Sequence, residues 1–270
     1  MKTVSTEMNN LSVGVIIQAR MGSSRLPGKI LMRLPFNGSK DSLSWIIHEL
    51  KTSSILKHII LATSTAPENQ ILSTLAARYG IGYYQGSENN VLSRFADVIR
   101  LYGLNVVVRI TGDNPIIDVG LIEEVVKSHI KDQQDYSYTV NLPLGMNIEV
   151  FSAEAFLSFK DEELDDSDRE HVTLYFKKRN KFKIREYHLN HSLDSVRIRV
   201  TLDYPNDYVL LNLIMQIAES QSINGLKLIE WVNGEMPWLW EVNNHMKQIT
   251  PVTKIKIVAE NSSGTSIPKD

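Results

Sequence analysis

The sequence predicts an α/β protein built on a mostly parallel sheet with helices on both faces. Short apolar strands alternate with helical stretches up to about residue 140, which is the pattern of strands joined by right-handed crossovers. Two of those strands run directly into polar turns, one cationic and one reading Thr-Gly-Asp. Ligands in such sheets sit at the carboxyl ends of strands, so the two turns can share one site.

The elements follow in order. Residues 13–17 are apolar and mostly β-branched, as in a strand buried on both faces, and the loop after them carries Arg20, Arg25 and Lys29. Residues 43–50 have helical spacing, 58–62 read as a second strand, 68–79 as a helix, 81–84 as a short strand and 91–102 as a helix. Residues 106–110 form another buried strand, followed by Thr111-Gly112-Asp113-Asn114-Pro115. From residue 146 the texture changes. Residues 147–151 suit a strand, 153–159 a helical turn, 160–170 are strongly charged, and 171–178 look helical. The 141–190 region is therefore expected to be a small protruding insertion for substrate and dimer contacts, its apolar face covered by a partner subunit. Residues 196–202 return to the core pattern and 208–218 form an amphipathic helix. One α/β domain is expected over 13–250, with an extension at 1–12 and a polar tail at 251–270.

Composition narrows the function. The 270 residues hold 29 basic and 31 acidic side chains, which gives no support for a nucleic-acid or anionic-membrane partner. There is no cysteine, so disulfides, thiolate zinc sites and thiol nucleophiles are excluded. No apolar run approaches the roughly 20 residues of a membrane span, and residues 1–12 lack the pattern of a signal peptide. A soluble, cytoplasmic protein is expected. His188 and His191 have a spacing that can hold a metal, but no cysteine accompanies them and the segment reads as a strand.

The loop Gln18-Ala19-Arg20-Met21-Gly22-Ser23-Ser24-Arg25-Leu26-Pro27-Gly28-Lys29 carries the chemistry. Three cations separated by glycine and small residues let the backbone come close to a highly charged oxyanion such as a polyphosphate. It is not a P-loop. Five residues rather than four separate Gly22 from Gly28, and Ile30 stands where the magnesium-binding hydroxyl would be. A triphosphate needs a divalent cation, and the cation needs carboxylates. Asp113 and Asp203 each follow a core strand and lie just before a proline, although such an Asp can equally be a turn former or helix cap. Asp207 reads as a cap or early acid of the helix that follows.

This loop resembles the nucleotide-binding signature of the cytidylyltransferases that activate acidic sugars. Those are the 3-deoxy-manno-octulosonate and acylneuraminate cytidylyltransferases and the related spore coat polysaccharide biosynthesis protein F family. The resemblance implies a nucleotide-diphospho-sugar transferase-like fold and a homodimer. It implies that Arg20, Arg25 and Lys29 hold phosphates, with Gln18, Ala19, Gly22, Ser23 and Ser24 also at the nucleotide. The Thr-Gly-Asp-x-Pro and Thr-x-Asp-x-Pro-x-Asp turns match the family's two magnesium turns, which puts Mg²⁺ on Asp113 and Asp203. Arg94, in Gly86-Ser87-Glu88-Asn89-Asn90-Val91-Leu92-Ser93-Arg94, is implied to approach the nucleotide; read by itself it is a solvent-facing arginine on a capped helix. Asn147 and Glu149, with Arg169 and His171 of a second segment, match the substrate and dimer side.

The implied reaction is CTP plus an acidic sugar giving a CMP-sugar and pyrophosphate, for surface polysaccharide biosynthesis. A glycosyltransferase, a nucleotidyltransferase acting on a sugar or polyol phosphate, and a nucleotide-sensing module are the rivals. The glycosyltransferase would be expected to carry Asp-x-Asp where this chain has a single Asp, and a sensor has little need for both carboxylates. The sequence does not identify the sugar.

Overall fold

The computed structural model describes residues 11–189 and 198–246. Most of the expected N-terminal extension, the tail at 251–270 and His191 lie outside them. Seven strands form one sheet: β1 (Val13–Gln18), β2 (His58–Ser64), β3 (Gly82–Gly86), β4 (Val106–Thr111), β5 (Tyr136–Val140), β6 (Glu149–Ser152) and β7 (Ile184–His188). Their order is β3-β2-β1-β4-β6-β5-β7. The β1–β2, β1–β4, β2–β3 and β5–β7 pairs are parallel, while β6 runs antiparallel between β4 and β5.

β1 is central because its side chains are apolar on both faces. Val13, Val15 and Ile17 pack into one layer with α1 (Ser42–Leu50), α4 (Val119–Lys131) and α8 (Pro205–Gln221). Ile16 packs into the other with α3 (Val91–Tyr102), where Phe95, Val98 and Ile99 are buried. Each fully buried side chain of this size stabilises by roughly 1.5–3 kcal/mol. Helix entry is fixed by side-chain caps: Asp41 accepts from Ser44 N at 2.7 Å, Asn90 from Ser93 N at 2.9 Å and Asp118 from Leu121 N at 2.9 Å. The register sets Gln18 opposite both Ala62 and Thr111, so β1, β2 and β4 end level and their loops leave from one edge.

Several elements differ from expectation. The 68–79 helix divides into a 3₁₀ turn at Pro67–Gln70 and α2 (Ile71–Tyr79). The 171–178 helix is broken: α6 (Asp166–His171) stops at buried Val172, whose φ of 60° and ψ of −56° reverse the chain before α7 (Leu174–Lys177). Such a conformation in a β-branched residue is strained. The 141–190 region does not lie wholly outside the sheet. It contributes β6 and β7, and its rings at Phe156, Phe159, Tyr175, Phe176 and Phe182 pack on one another within the chain, centroids 4.3–6.5 Å apart. They cover the apolar side around α5 (Ala153–Leu157) from within. Ile198, Val200 and Leu202 are buried as the core pattern requires, but among the described residues this segment makes only a bridge, Leu144 to Arg199. α9 (Gly225–Glu235) completes the α8 side, where Trp240 is buried and Trp238 is exposed. Among the described residues no helix is long and apolar enough to cross a membrane.

Candidate active site

The loop after β1 is built to stay open yet fixed. Gly28 has φ 71°, a left-handed conformation that favours glycine, and its N–H donates to Met21 O at 3.2 Å, closing the loop at its base. Buried Asn69 accepts from Met21 N at 2.7 Å and donates to Ser64 Oγ at 2.7 Å, tying the loop to the end of β2. The Thr-Gly-Asp turn after β4 packs against the same strand end. Gly112 N donates to Gln18 O at 2.9 Å, and a Cβ on Gly112 would come within 2.8 Å of Ala19 Cβ and of Leu43 Cδ2. Only glycine lets the turn approach this closely.

These loops line a cleft of about 730 Å³ at the carboxyl edge of the sheet. Gln18, Ala19, Arg20, Gly22, Ser23, Ser24, Arg25, Lys29, Arg94, Asp113, Asn147, His171 and Asp203 all line it. Glu149 and Arg169 do not. The Arg169 guanidinium is bonded to Asp161, at 2.7 Å to its carboxylate and 3.2 Å to its carbonyl.

Lys29 is the hub. It is 7% exposed, and its Nζ lies 2.5 Å from Asp113 Oδ2 and 2.8 Å from Asp203 Oδ1. Asp203 also accepts from Arg25 Nη2 at 2.9 Å and from Arg199 Nη2 at 3.0 Å. Burial pulls the Asp203 carboxyl upward, but the hydrogen bond from Lys29 and the charges of Lys29, Arg25 and Arg199 outweigh it and hold it below the usual aspartate range. Asp207 acts as the helix-start acid of α8: its Oδ2 accepts from Asp203 N and Tyr204 N, both at 2.9 Å, and it also binds Arg199 Nε at 2.9 Å.

Arg94, at 2% exposure, presents Nε and Nη1 without any hydrogen-bond partner. Burial, and then the neighbouring Arg20 charge, push its guanidinium down to about 10. The Glu88 charge opposes this only in part, and a buried cation with unbonded nitrogens on a cleft wall is costly unless an anion meets it. The other wall is held by residues that sequence reasoning passed over or assigned differently. Arg109 donates to Glu149 at 2.5 Å and to Gln18 Oε1 at 3.2 Å, while Thr173 Oγ1 donates to Glu149 at 2.7 Å and Tyr136 donates to the same carboxylate. Glu149 is thus fully engaged by protein partners. A lone arginine inside the apolar run of β4 was the available signal for Arg109. His171 sits where α6 breaks, and burial lowers its imidazole, assisted by the Arg109 and Lys178 charges against that of Glu170.

Asp113 and Asp203 converge on one cation, so their oxygens fit a hard divalent metal ion. Among the described residues no group of three or more His, Cys, Asp or Glu side chains could hold a metal. The pair alone therefore suits a metal ion that takes its remaining ligands from phosphates and water.

A cleft of this size, which holds Arg20, Arg25, Lys29 and Arg94 beside paired carboxylates at the carboxyl edge of a β3-β2-β1-β4 sheet, defines a nucleotidyltransferase-like protein. The cytidylyltransferase family model matches residues 14–230, and the chain belongs to that family. It is a CTP-dependent nucleotidyltransferase. It is 33% identical over 225 residues to the spore coat polysaccharide biosynthesis protein SpsF of Bacillus subtilis (strain 168), covering 81% of this chain and 92% of that protein. A cytidylyltransferase structure from Leptospira borgpetersenii serovar Hardjo-bovis (strain JB197) superposes with a TM-score of 0.79 at 27% identity, covering 90% of this chain and all of that one. The CMP:2-keto-3-deoxy-manno-octonic acid synthetase complexed with CTP shares the fold, with a TM-score of 0.59 at 13% identity over 78% of this chain and all of that one.

Proposed function

We propose that the protein transfers CMP from CTP to an acidic sugar, releasing pyrophosphate, as a step in making a surface polysaccharide. The observation that carries the reading is the convergence of Lys29 on Asp113 and Asp203 in a cleft that also holds Arg20, Arg25 and Arg94. The likeness to SpsF supports the polysaccharide context.

In this reading Arg20, Arg25 and Lys29 bind the β- and γ-phosphates and neutralise charge as pyrophosphate leaves. Arg94 meets a further anionic group of the nucleotide, since its Nε and Nη1 have no hydrogen-bond partner in the protein. Gln18 and Ala19 lie at the base, and Asn147 and His171 face the sugar from the opposite wall. A sugar hydroxyl attacks the α-phosphorus and gives up its proton to solvent, the bond from that phosphorus to pyrophosphate breaks, and no side chain becomes covalently attached. Asp113 and Asp203 would hold Mg²⁺, which would supply Lewis-acid stabilisation of the charge that develops on the phosphates.

The test is pyrophosphate release with CTP, Mg²⁺ and a panel of sugar acids, against UTP and ATP and against sugar phosphates. Turnover that requires CTP together with a sugar acid is expected. Turnover with sugar or polyol phosphates alone would overturn the acceptor class, and equal use of the three nucleotides would overturn the cytidine reading.

A further inference from the structure

The same Nζ that binds Asp113 and Asp203 stands at the point on which a divalent cation would have to be held by them. The Lys29 side chain is only 9% exposed there, so water screens these contacts little. The surrounding charges are balanced. Lys29, Arg25 and Arg199 face Asp113, Asp203 and Asp207 through five ion pairs of 2.5–3.0 Å. A bare divalent cation entering this cluster would add positive charge to a neutral group and would have to displace a buried ammonium. A triphosphate reverses both difficulties, because it brings more negative charge than the metal brings positive and gives Lys29 a new partner.

We propose that Lys29 is the resident counter-ion of the carboxylate pair, and that a divalent cation enters only with the triphosphate, in exchange for the lysine. The inference rests on the assignment of Asp113 and Asp203 as metal carboxylates made above. It gives Lys29 two partners in succession: the aspartates in the free protein, and phosphate oxygens once nucleotide and metal arrive. A plain structural staple would instead hold the aspartates in both states.

Manganese binding read by electron paramagnetic resonance tests this without turnover. In the absence of nucleotide the wild type is expected to bind Mn²⁺ weakly, and Lys29→Met about ten-fold or more tightly, the scale of losing one charged hydrogen bond. Lys29→Arg, which keeps the charge, should stay close to the wild type, and Lys29→Met with Asp203→Asn should lose the gained site. Mg²⁺ alone should raise the melting temperature of Lys29→Met and leave that of the wild type unchanged. Lys29→Gln replaces the methionine variant if the latter fails to fold. Equal Mn²⁺ affinity of wild type and Lys29→Met would overturn the proposal. With CTP present, a protein-dependent Mn²⁺ signal that Asp113→Asn and Asp203→Asn abolish tests the metal assignment separately. If that signal appears while Lys29→Met gains nothing, the carboxylates hold metal and only the counter-ion role falls. If no protein-dependent signal appears in any sample, both fall.

Discussion

The backbone N–H of Leu202 donates to the carbonyl of Asp113 at 2.8 Å. This bond joins two turns that lie far apart in the chain and sets Asp203 beside Asp113. The segment before it is held from the other side, with Leu144 N bonded to Ile198 O at 3.0 Å and Val200 N to Leu144 O at 2.8 Å. Arg199, 5% exposed, then fixes the Asp203 carboxylate, while Asp207 caps the turn behind it. One backbone contact and one buried arginine thus turn two separate loops into a single centre.

Arg94 is expected to act on ligand rather than on the fold. Its Nε and Nη1 are buried with no hydrogen-bond partner, and the Glu88 charge offsets its burial only in part, so Arg94→Met should not lower the melting temperature. CTP affinity should fall by about 10- to 100-fold, the worth of a charge-assisted hydrogen bond. Calorimetric titration with CTP checks this; unchanged affinity would place Arg94 outside the nucleotide site.

Gly112→Ala puts a methyl group 2.8 Å from both Ala19 Cβ and Leu43 Cδ2. Overpacking of this kind costs about 1–3 kcal/mol. The turn should also move away from β1, carrying Asp113 with it, so turnover should fall along with the urea midpoint. A variant as stable and active as the parent would show that the turn has room to spare.

Buried His129 on α4 is expected to make the protein sensitive to acid. Its Nδ1 lies 2.9 Å from Ser137 Oγ, and burial pushes its imidazole down to about 4, with the Asp135 charge opposing. Below the unfolded value of about 6.5 the unfolded chain takes up a proton that the folded protein resists. The contribution is therefore complete above about pH 6.5 and is lost as pH falls from there toward 4, on the order of 3 kcal/mol in all. Urea unfolding at pH 7 and pH 5 should show a clear drop in the wild type and a smaller one in His129→Gln. Equal drops would assign the acid sensitivity elsewhere.

Much of this architecture could be read from residues alone. β1, β2 and β4 are apolar strands ending in polar turns, and the cations Arg20, Arg25 and Lys29 expected at one site do line one cleft. The approach of Asp203 to Asp113 was implied by resemblance to a known family, since the bond that joins them is between backbone atoms of Leu202 and Asp113 and leaves no trace in side-chain type. α4 went unpredicted although Leu121, Ile122, Val125, Val126 and Ile130 recur at helical spacing and are buried. The break at Val172 had no local signal, because a β-branched residue is the last expected at positive φ. Placement of the 141–190 region depended on strand pairing between distant segments, β6 with β4 and β7 with β5, which periodicity does not encode.

If Asp113 and Asp203 act as one centre, the losses on removing them should not be additive. The most direct measurement is turnover with CTP and a sugar acid at saturating Mg²⁺ for Asp113→Asn, Asp203→Asn and the double variant, each first shown to be folded. Each single change is expected to slow turnover by about 10²–10³-fold, as for loss of a group that stabilises developing charge. The double variant should be little slower than the slower single one, because residues that act as a unit are not additive. Losses that multiply, or an Asp203→Asn variant that turns over normally, would contradict the shared centre and leave Asp203 as a residue of the turn alone.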